Sequence, residues 1–322
     1  MAETKIADVI QPELFAQYVI DKTTEKSELM FAGVIESNPQ LNKLITGGGT
    51  VFTMPRWNDL TGDSEVLDDS NPLTVNKITS YSELATMMIR GKAWGANELA
   101  GALAGDDPMK AIGSLVSDWW VRDEKKTLIS ILNGVFASAS MSGHVLDITS
   151  ATSTKISGTA VLDAKQLMGD ASELLSMIYM HSATFTELQK QNMIQFIPVA
   201  ESKITIPTYL GYRVITDDSC PVDTSGQTTK YSTYLLSRGA IQRGTGIPVS
   251  LTPVETDRDS LSSVDILINR QARILHPKGI SWIGSANITG ATPSNTELAT
   301  GTNWNRVMDP KKIGLVKLIH TL

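Results

Sequence analysis

The stretch Thr50–Trp94, TVFTMPRWNDLTGDSEVLDDSNPLTVNKITSYSELATMMIRGKAW, decides the fold. It follows Gly47-Gly48-Gly49, which reads as a hinge, and opens strand-like, with Val51 alternating with Thr53. Its middle holds Asp59, Asp63, Glu65, Asp68 and Asp69 with no base after Arg56, punctuated by Gly62 and Ser70-Asn71-Pro72. A second extended run then leads to Ala93. The spacing predicts a long two-stranded hairpin with an acidic, irregular tip. An arm of about 15 residues at roughly 3.3 Å each reaches about 50 Å. A compact globule of this chain length has a radius of only about 25 Å. An isolated ribbon is marginal in water. Nothing between the arms forms a core, so the ribbon is expected to lie across a neighbouring molecule, with the acidic tip meeting basic residues there; Arg90, Lys311 and Lys312 are the candidates.

On the amino-terminal side, residues 1–45 read as helical pieces. Pro12 suits a first turn, Leu14, Tyr18 and Val19 recur at helical spacing, and a second helix from Ser27 is expected to stop at Asn38-Pro39. On the other side, Asp107-Pro108 is a strong helix start. Behind it Ile112, Leu115, Val116, Trp119, Leu128, Ile131, Leu132 and Val135 keep helical spacing. A helix continuous to Ala137 is about 46 Å long at 1.5 Å per residue, a spine across the domain. Of Trp119-Trp120, one is expected in the core and one half-exposed, while Arg122–Lys126 reads as a solvated break in the face. From residue 160 helices and strands alternate: helices at Val161–Leu175 and Thr184–Phe196, strands at Met177–His181, Tyr212–Thr216, Tyr231–Leu236 and Asp265–Leu275, and a final strand from Ile313 to His320. The predicted class is α+β.

The chain has 322 residues, 41 % hydrophobic and 19 % charged, enough to bury a core, with a surface leaning on Ser, Thr, Asn and Gly. A net charge of −6 argues against a free nucleic-acid binder. One cysteine, Cys220, excludes an internal disulfide framework and Cys-rich metal sites. The amino terminus lacks a secretory pattern, and no run of 18 uncharged apolar residues suggests a membrane span. Catalytic and cofactor motifs are missing: no GxGxxG, P-loop, HExxH, CxxC or GxSxG. His144, His181, His276 and His320 lack metal-ligand spacing, and the acidic loop lacks the calcium-binding order. No cofactor or metal is expected. His181-Ser182 could seed a hydrolase, with Ser182 as nucleophile, but a Ser there reads more simply as a helix cap.

Taken in order, PELF (Pro12–Phe15), MPRWNDLTGDSEVL (Met54–Leu67), GDDPMKAIGSLV (Gly105–Val116), MHSAT (Met180–Thr184), PTYLGYRVITDDSCPV (Pro207–Val222), DILINR (Asp265–Arg270), LHPKG (Leu275–Gly279) and NWNRVMDPKKIGLVKL (Asn303–Leu318) resemble one family. The chain is similar to the major capsid proteins of tailed double-stranded DNA phages, in particular the siphophage coat proteins of Gram-positive hosts. The resemblance implies a Hong Kong 97-like phage capsid fold: an N-terminal arm (1–49), an extended loop (50–95), a peripheral domain with the spine helix (96–159), an axial domain (160–300) and a C-terminal strand returning to the peripheral domain (301–322). In that fold Ile112, Leu115, Trp119 and Trp120 would serve spine-helix packing. It further implies a non-enzymatic subunit assembling into the hexamers and pentamers of an icosahedral head. Scaffolding protein, a portal at one vertex, packaged DNA and a possible decoration protein are the implied partners. The locations implied are the virion and, during assembly, the host cytoplasm. The chain begins at Met1 with no long preceding segment, so a separate scaffolding protein is expected.

Overall fold

The computed structural model describes residues 33–67, 73–98, 108–198 and 205–322. In chain order, β1 (Ile35–Ser37) leads to α1 (Pro39–Gly47), the hairpin strands β2 (Val51–Trp57) and β3 (Ser80–Thr86), and β4 (Met88–Asn97). The long helix α2 (Pro108–Ala137) follows. Then come β5 (Val145–Asp147), α3 (Gly158–Gln166), β6 (Leu175–Met180), α4 (Ser182–Lys190), β7 (Gln195–Pro198), β8 (Thr205–Tyr209), β9 (Tyr212–Thr216), β10 (Val222–Asp223) and β11 (Lys230–Ser237). The chain continues through β12 (Ile241–Gly246), β13 (Val254–Asp259), β14 (Val264–Pro277), β15 (Ile280–Trp282), α5 (Asn295–Leu298), β16 (Trp304–Arg306) and β17 (Leu315–His320).

Two sheets organise these elements. The first has the order β1-β12-β14-β13, with β4 also paired to β14. The second has the order β5-β17-β11-β6-β9-β8-β7, with β10 on β11. Helix α2 joins them. Its first half packs Val116 and Trp120 against Val254 and Leu267 of the first sheet. In its second half, Leu128, Ile131, Leu132 and Val135 share one core with Tyr179 and Tyr234 of the second sheet and Ile241 and Leu275 of the first. The 30-residue helix, about 45 Å long, is the predicted spine.

Several expectations are corrected. Asn38-Pro39 opens a helix rather than ending one: Asn38 Oδ1 accepts from Gln40 N at 2.9 Å, and Pro39 takes the first turn, where its missing N–H costs nothing. Leu41 and Ile45 of α1 then bury against Phe52, Ala272 and Ile274, so this part of the arm belongs to the body. The close approach requires Gly244, where a Cβ would stand 2.7 Å from that of Leu41. The hairpin ladder is also shorter than expected. It runs from Val51↔Thr86 to Trp57↔Ser80, seven pairs or about 23 Å. Met87 and Met88 are buried, and β4 leaves to pair with β14 over ten residues. Residues 241–277, grouped with 160–300, build the sheet beneath the first half of α2. The last strand joins β11 and β5 in the second sheet, because Val316 and Leu318 complete the core around Ile178 and Leu235.

Candidate functional site: the assembly surfaces

The hairpin is anchored at its base by a buried ionic cluster. Glu83 on β3 is fully buried. Its carboxylate meets Arg56 Nε of β2 at 2.8 Å and His276 Nε2 of β14 at 3.1 Å. Burial alone would raise the Glu83 pKa, but His276, Arg56 and the Gly279 N–H together hold it below the ordinary value. Further out, Asn58 N donates to Thr79 O at 2.8 Å and closes the ribbon. Lys312 Nζ meets Asp59 Oδ2 at 2.9 Å, which pushes the Asp59 pKa down and the Lys312 pKa up. Beyond that pin, residues 60–67 and 73–79 form no regular strand. Trp57, Leu60, Val66, Leu67 and Val75 stand between 70 and 95 % exposed. So many bare apolar side chains on one extended loop are unusual for a chain that stands alone.

Three of the five acidic residues read from the sequence are described. Asp59 pairs within its own chain, Glu65 Oε2 accepts from Thr74 N at 2.9 Å, Asp63 is exposed, and Asp68 and Asp69 lie outside the described residues. Among the candidate bases, Lys312 takes Asp59 and Lys311 Nζ meets Asp170 Oδ1 at 2.7 Å. Arg90 is half-buried and donates to Pro293 O and, at 3.3 Å, to Thr292 Oγ1. On the spine, Trp120 is buried and its Nε1 donates to Asn269 Oδ1 at 2.6 Å. Trp119 is half-buried, edge-on to Trp94 at 5.4 Å, and Ile112 packs beside them. Leu115 is 60 % exposed and faces away from the body.

The charged run on the spine is only partly solvated: Arg122 and Lys126 are exposed, but the three residues between them are engaged by the body. Glu124 holds Arg243 of β12 through two contacts, 2.6 and 2.9 Å, with both side chains buried. Asp123 holds the buried Arg273 of β14. Lys125 reaches Asp217, beyond β9, at 3.1 Å. These pairs fasten one helix to both sheets. The hydrolase constellation does not form either. His181, not Ser182, caps α4: its Nδ1 accepts from Ala183 N at 3.0 Å. The Ser182 hydroxyl donates to Asp218 instead of to His181. Burial and the nearby Asp217 raise the Cys220 thiol pKa, so it stays protonated and inert. No group of three or more metal-ligating side chains occurs among the described residues.

Residues 108–314 match the family model described as Gp13-like, major capsid protein 13-like. The chain is 44 % identical to the major capsid protein of Bacillus phage SPP1 over 325 residues, 100 % of this chain and 99 % of that one. The chain belongs to the Gp13-like family of major capsid proteins. Solved capsids share the fold of this capsid protein at low identity. The capsid of Ralstonia phage GP4 matches with a TM-score of 0.61 at 9 % identity, over 92 % of this chain and 90 % of that one. The cyanophage Pam1 capsid matches with a TM-score of 0.61 at 12 % identity, over 90 % and 91 %. The fold is of the Hong Kong 97-like type, a mixed α+β architecture. What sequence reading missed in this capsid protein is the Arg56–Glu83–His276 anchor. Glu83 and His276 lie 193 residues apart in the chain, and no local pattern links the three.

Proposed function

We propose that this major capsid protein of a tailed phage closes into hexamers and pentamers of an icosahedral head that encloses the genome, the loop of each copy lying over the next. The observation that carries the reading is the loop itself. It is anchored at its base by a buried cluster, yet Leu60, Val66, Leu67 and Val75 beyond that base stand exposed. The loop, the arm before residue 33 and the exposed Leu115 edge of the spine are the contacting parts. Asp63, Glu65, Asp68 and Asp69 meet bases in trans; the exposed Lys311 and Lys312 can exchange their partners within the chain for these acids. Such pairs contribute about 0–1 kcal/mol each, so they set register and partner choice rather than stability. The sheet with α2 and the hairpin serves as the peripheral domain, and the sheet containing β17 as the axial domain around the capsomer centre.

The protein works by assembly and catalyses no reaction. A scaffolding protein directs shell closure in the host cytoplasm, a portal occupies one vertex, a decoration protein can bind outside, and DNA is held by confinement. Many weak heterologous contacts then add up to a closed, kinetically locked shell. The test is gel filtration of the chain alone and with its scaffolding protein, beside a variant in which residues 58–79 are replaced by a two-residue turn. The wild type should drift to megadalton species while the variant stays small and folded. Shells from the loopless variant would overturn the role of the loop.

A further inference from the structure

The two faces of the first sheet differ in charge. Gly244 of β12 backs on Leu41 of α1, while its neighbour Arg243 reaches Glu124 of α2. Side chains alternate along a strand, so α1 and α2 cover opposite faces. On β4, Met88 joins the core around α2 and Trp94 meets Trp119, which places Lys92 on the α2 face as well. Lys92 pairs in register with Asn269, the acceptor of the Trp120 indole, so it flanks the stretch of helix that carries Arg122 and Lys126. All three cations are exposed and have no acidic partner among the described residues. The acids of this face are already engaged: Asp123 with Arg273, Glu124 with Arg243, and Asp265 with Arg258. Asp118 has a partner too, and the Glu297 carboxylate accepts from Ser294 and Thr289. On β13, Val254 points towards α2, so Asp257 and Asp259 point the other way, exposed on the side of α1 with its exposed Lys43. Like charges four residues apart, as at Arg122 and Lys126, destabilise a helix, so folding alone does not account for them. From Arg122 through Ser130 to Asn133 the outer stripe of α2 holds no large exposed apolar side chain of the kind that anchors a protein partner.

We propose that the α2 face of the first sheet is turned to the enclosed genome, and that Lys92, Arg122 and Lys126 bind the phosphodiester backbone of its outermost layer. This deepens, and rests on, the reading of the chain as a shell subunit. The contact is independent of sequence: cations replace the counterions of the phosphates, and no base is read. A single copy supplies only three such cations, so it binds weakly and releases readily in salt; the shell repeats the contact over many copies. The net charge of −6 opposes DNA over the rest of the surface, which leaves this stripe as the place of approach.

The test titrates the full chain, without scaffolding protein, onto a short fluorescent DNA duplex and follows anisotropy at several salt concentrations. At a slope of about 0.9 per phosphate, three contacts predict about a 40-fold loss of affinity for about a fourfold rise in salt. The triple variant Lys92→Ala, Arg122→Ala and Lys126→Ala should bind more weakly at low salt and lose most of that salt dependence, whereas Lys43→Ala should change neither. Circular dichroism checks that the triple variant folds. Formaldehyde treatment of DNA-filled particles needs no variant: it should join Lys92 and Lys126 to DNA, and not Lys43. A wild-type chain that binds no duplex at low salt, an unchanged salt slope in the triple variant, or crosslinks at Lys43 alone would each overturn the assignment. A triple variant that binds DNA like the wild type but no longer assembles with the scaffolding protein would also overturn it, giving the stripe to an acidic protein segment instead. These results leave the shell reading intact; a wild-type chain that never forms shells with its scaffolding protein would sink that reading.

Discussion

Replacing Glu83 by Gln probes the anchor of the loop directly. The carboxylate is fully buried and serves Arg56 at 2.8 Å and His276 at 3.1 Å. Removing one member of a buried pair costs about 3–5 kcal/mol, because the other charge is left uncompensated. Here Arg56 keeps 30 % of its side chain in solvent, so the lower end applies, about 3 kcal/mol. The loss should be local. Amide exchange in β2 and β3 should accelerate about 100-fold, taking about 1.4 kcal/mol per tenfold, while amides at Leu128–Val135 stay protected. The pH dependence follows from the lowered Glu83 pKa. The ionised form is favoured in the fold, so its contribution is present above the ordinary value of 4.5 and is lost as pH falls below it. Hairpin exchange within about threefold of the wild type would refute the claim that this cluster sets the loop's root.

Four further outcomes are expected. Glu124→Ala should destabilise the body by about 3–5 kcal/mol in urea, whereas Glu124→Met with Arg243→Leu should be near neutral. Burial pushes His320 down to about 4, so the folded state favours neutral imidazole. The corresponding stability is full above the unfolded value of 6.5 and fades as pH drops towards 4, by about 3 kcal/mol in all, and His320→Gln should flatten that window in a urea titration. Gly134→Ala should cost at least about 1–3 kcal/mol, since its methyl would strike Leu298 O and the Trp304 ring, and soluble yield will report it. Deleting residues 1–32 should leave the far-ultraviolet spectrum of the body intact, while deleting 1–47 should unfold it by removing Leu41 and Ile45.

Local patterns carried their information well. The spine was legible because Pro108 and the recurring Val116, Leu128, Ile131 and Val135 act within a few turns, and it runs Pro108–Ala137 as read. The strand Tyr212–Thr216 was also found with its bounds, flanked by Gly211 at φ +85°. Distant pairings were illegible. Asp123 and Glu124 looked solvated because Arg273 and Arg243, which neutralise them, lie 150 and 119 residues onward. Strand β12, IQRGTG, gave no strand signal because its glycines serve the close approach of α1 rather than strand propensity. Pro39 was read as a stop because proline ends one helix and begins another with equal ease, and only Asn38 capping Gln40 decides between them. The acidic tip was legible as a feature, but pairing of Asp59 with Lys312 depends on the turn after Asp309, which the sequence does not aim.

The central claim is that this chain is unfinished alone and is completed by copies of itself. A cryo-electron map of particles formed with the scaffolding protein tests it most directly. The account predicts closed shells in which Leu60, Val66 and Leu67 of each copy are buried on its neighbour. Particles that close while those side chains remain in solvent, or a chain that stays monomeric beside its scaffold, would contradict it.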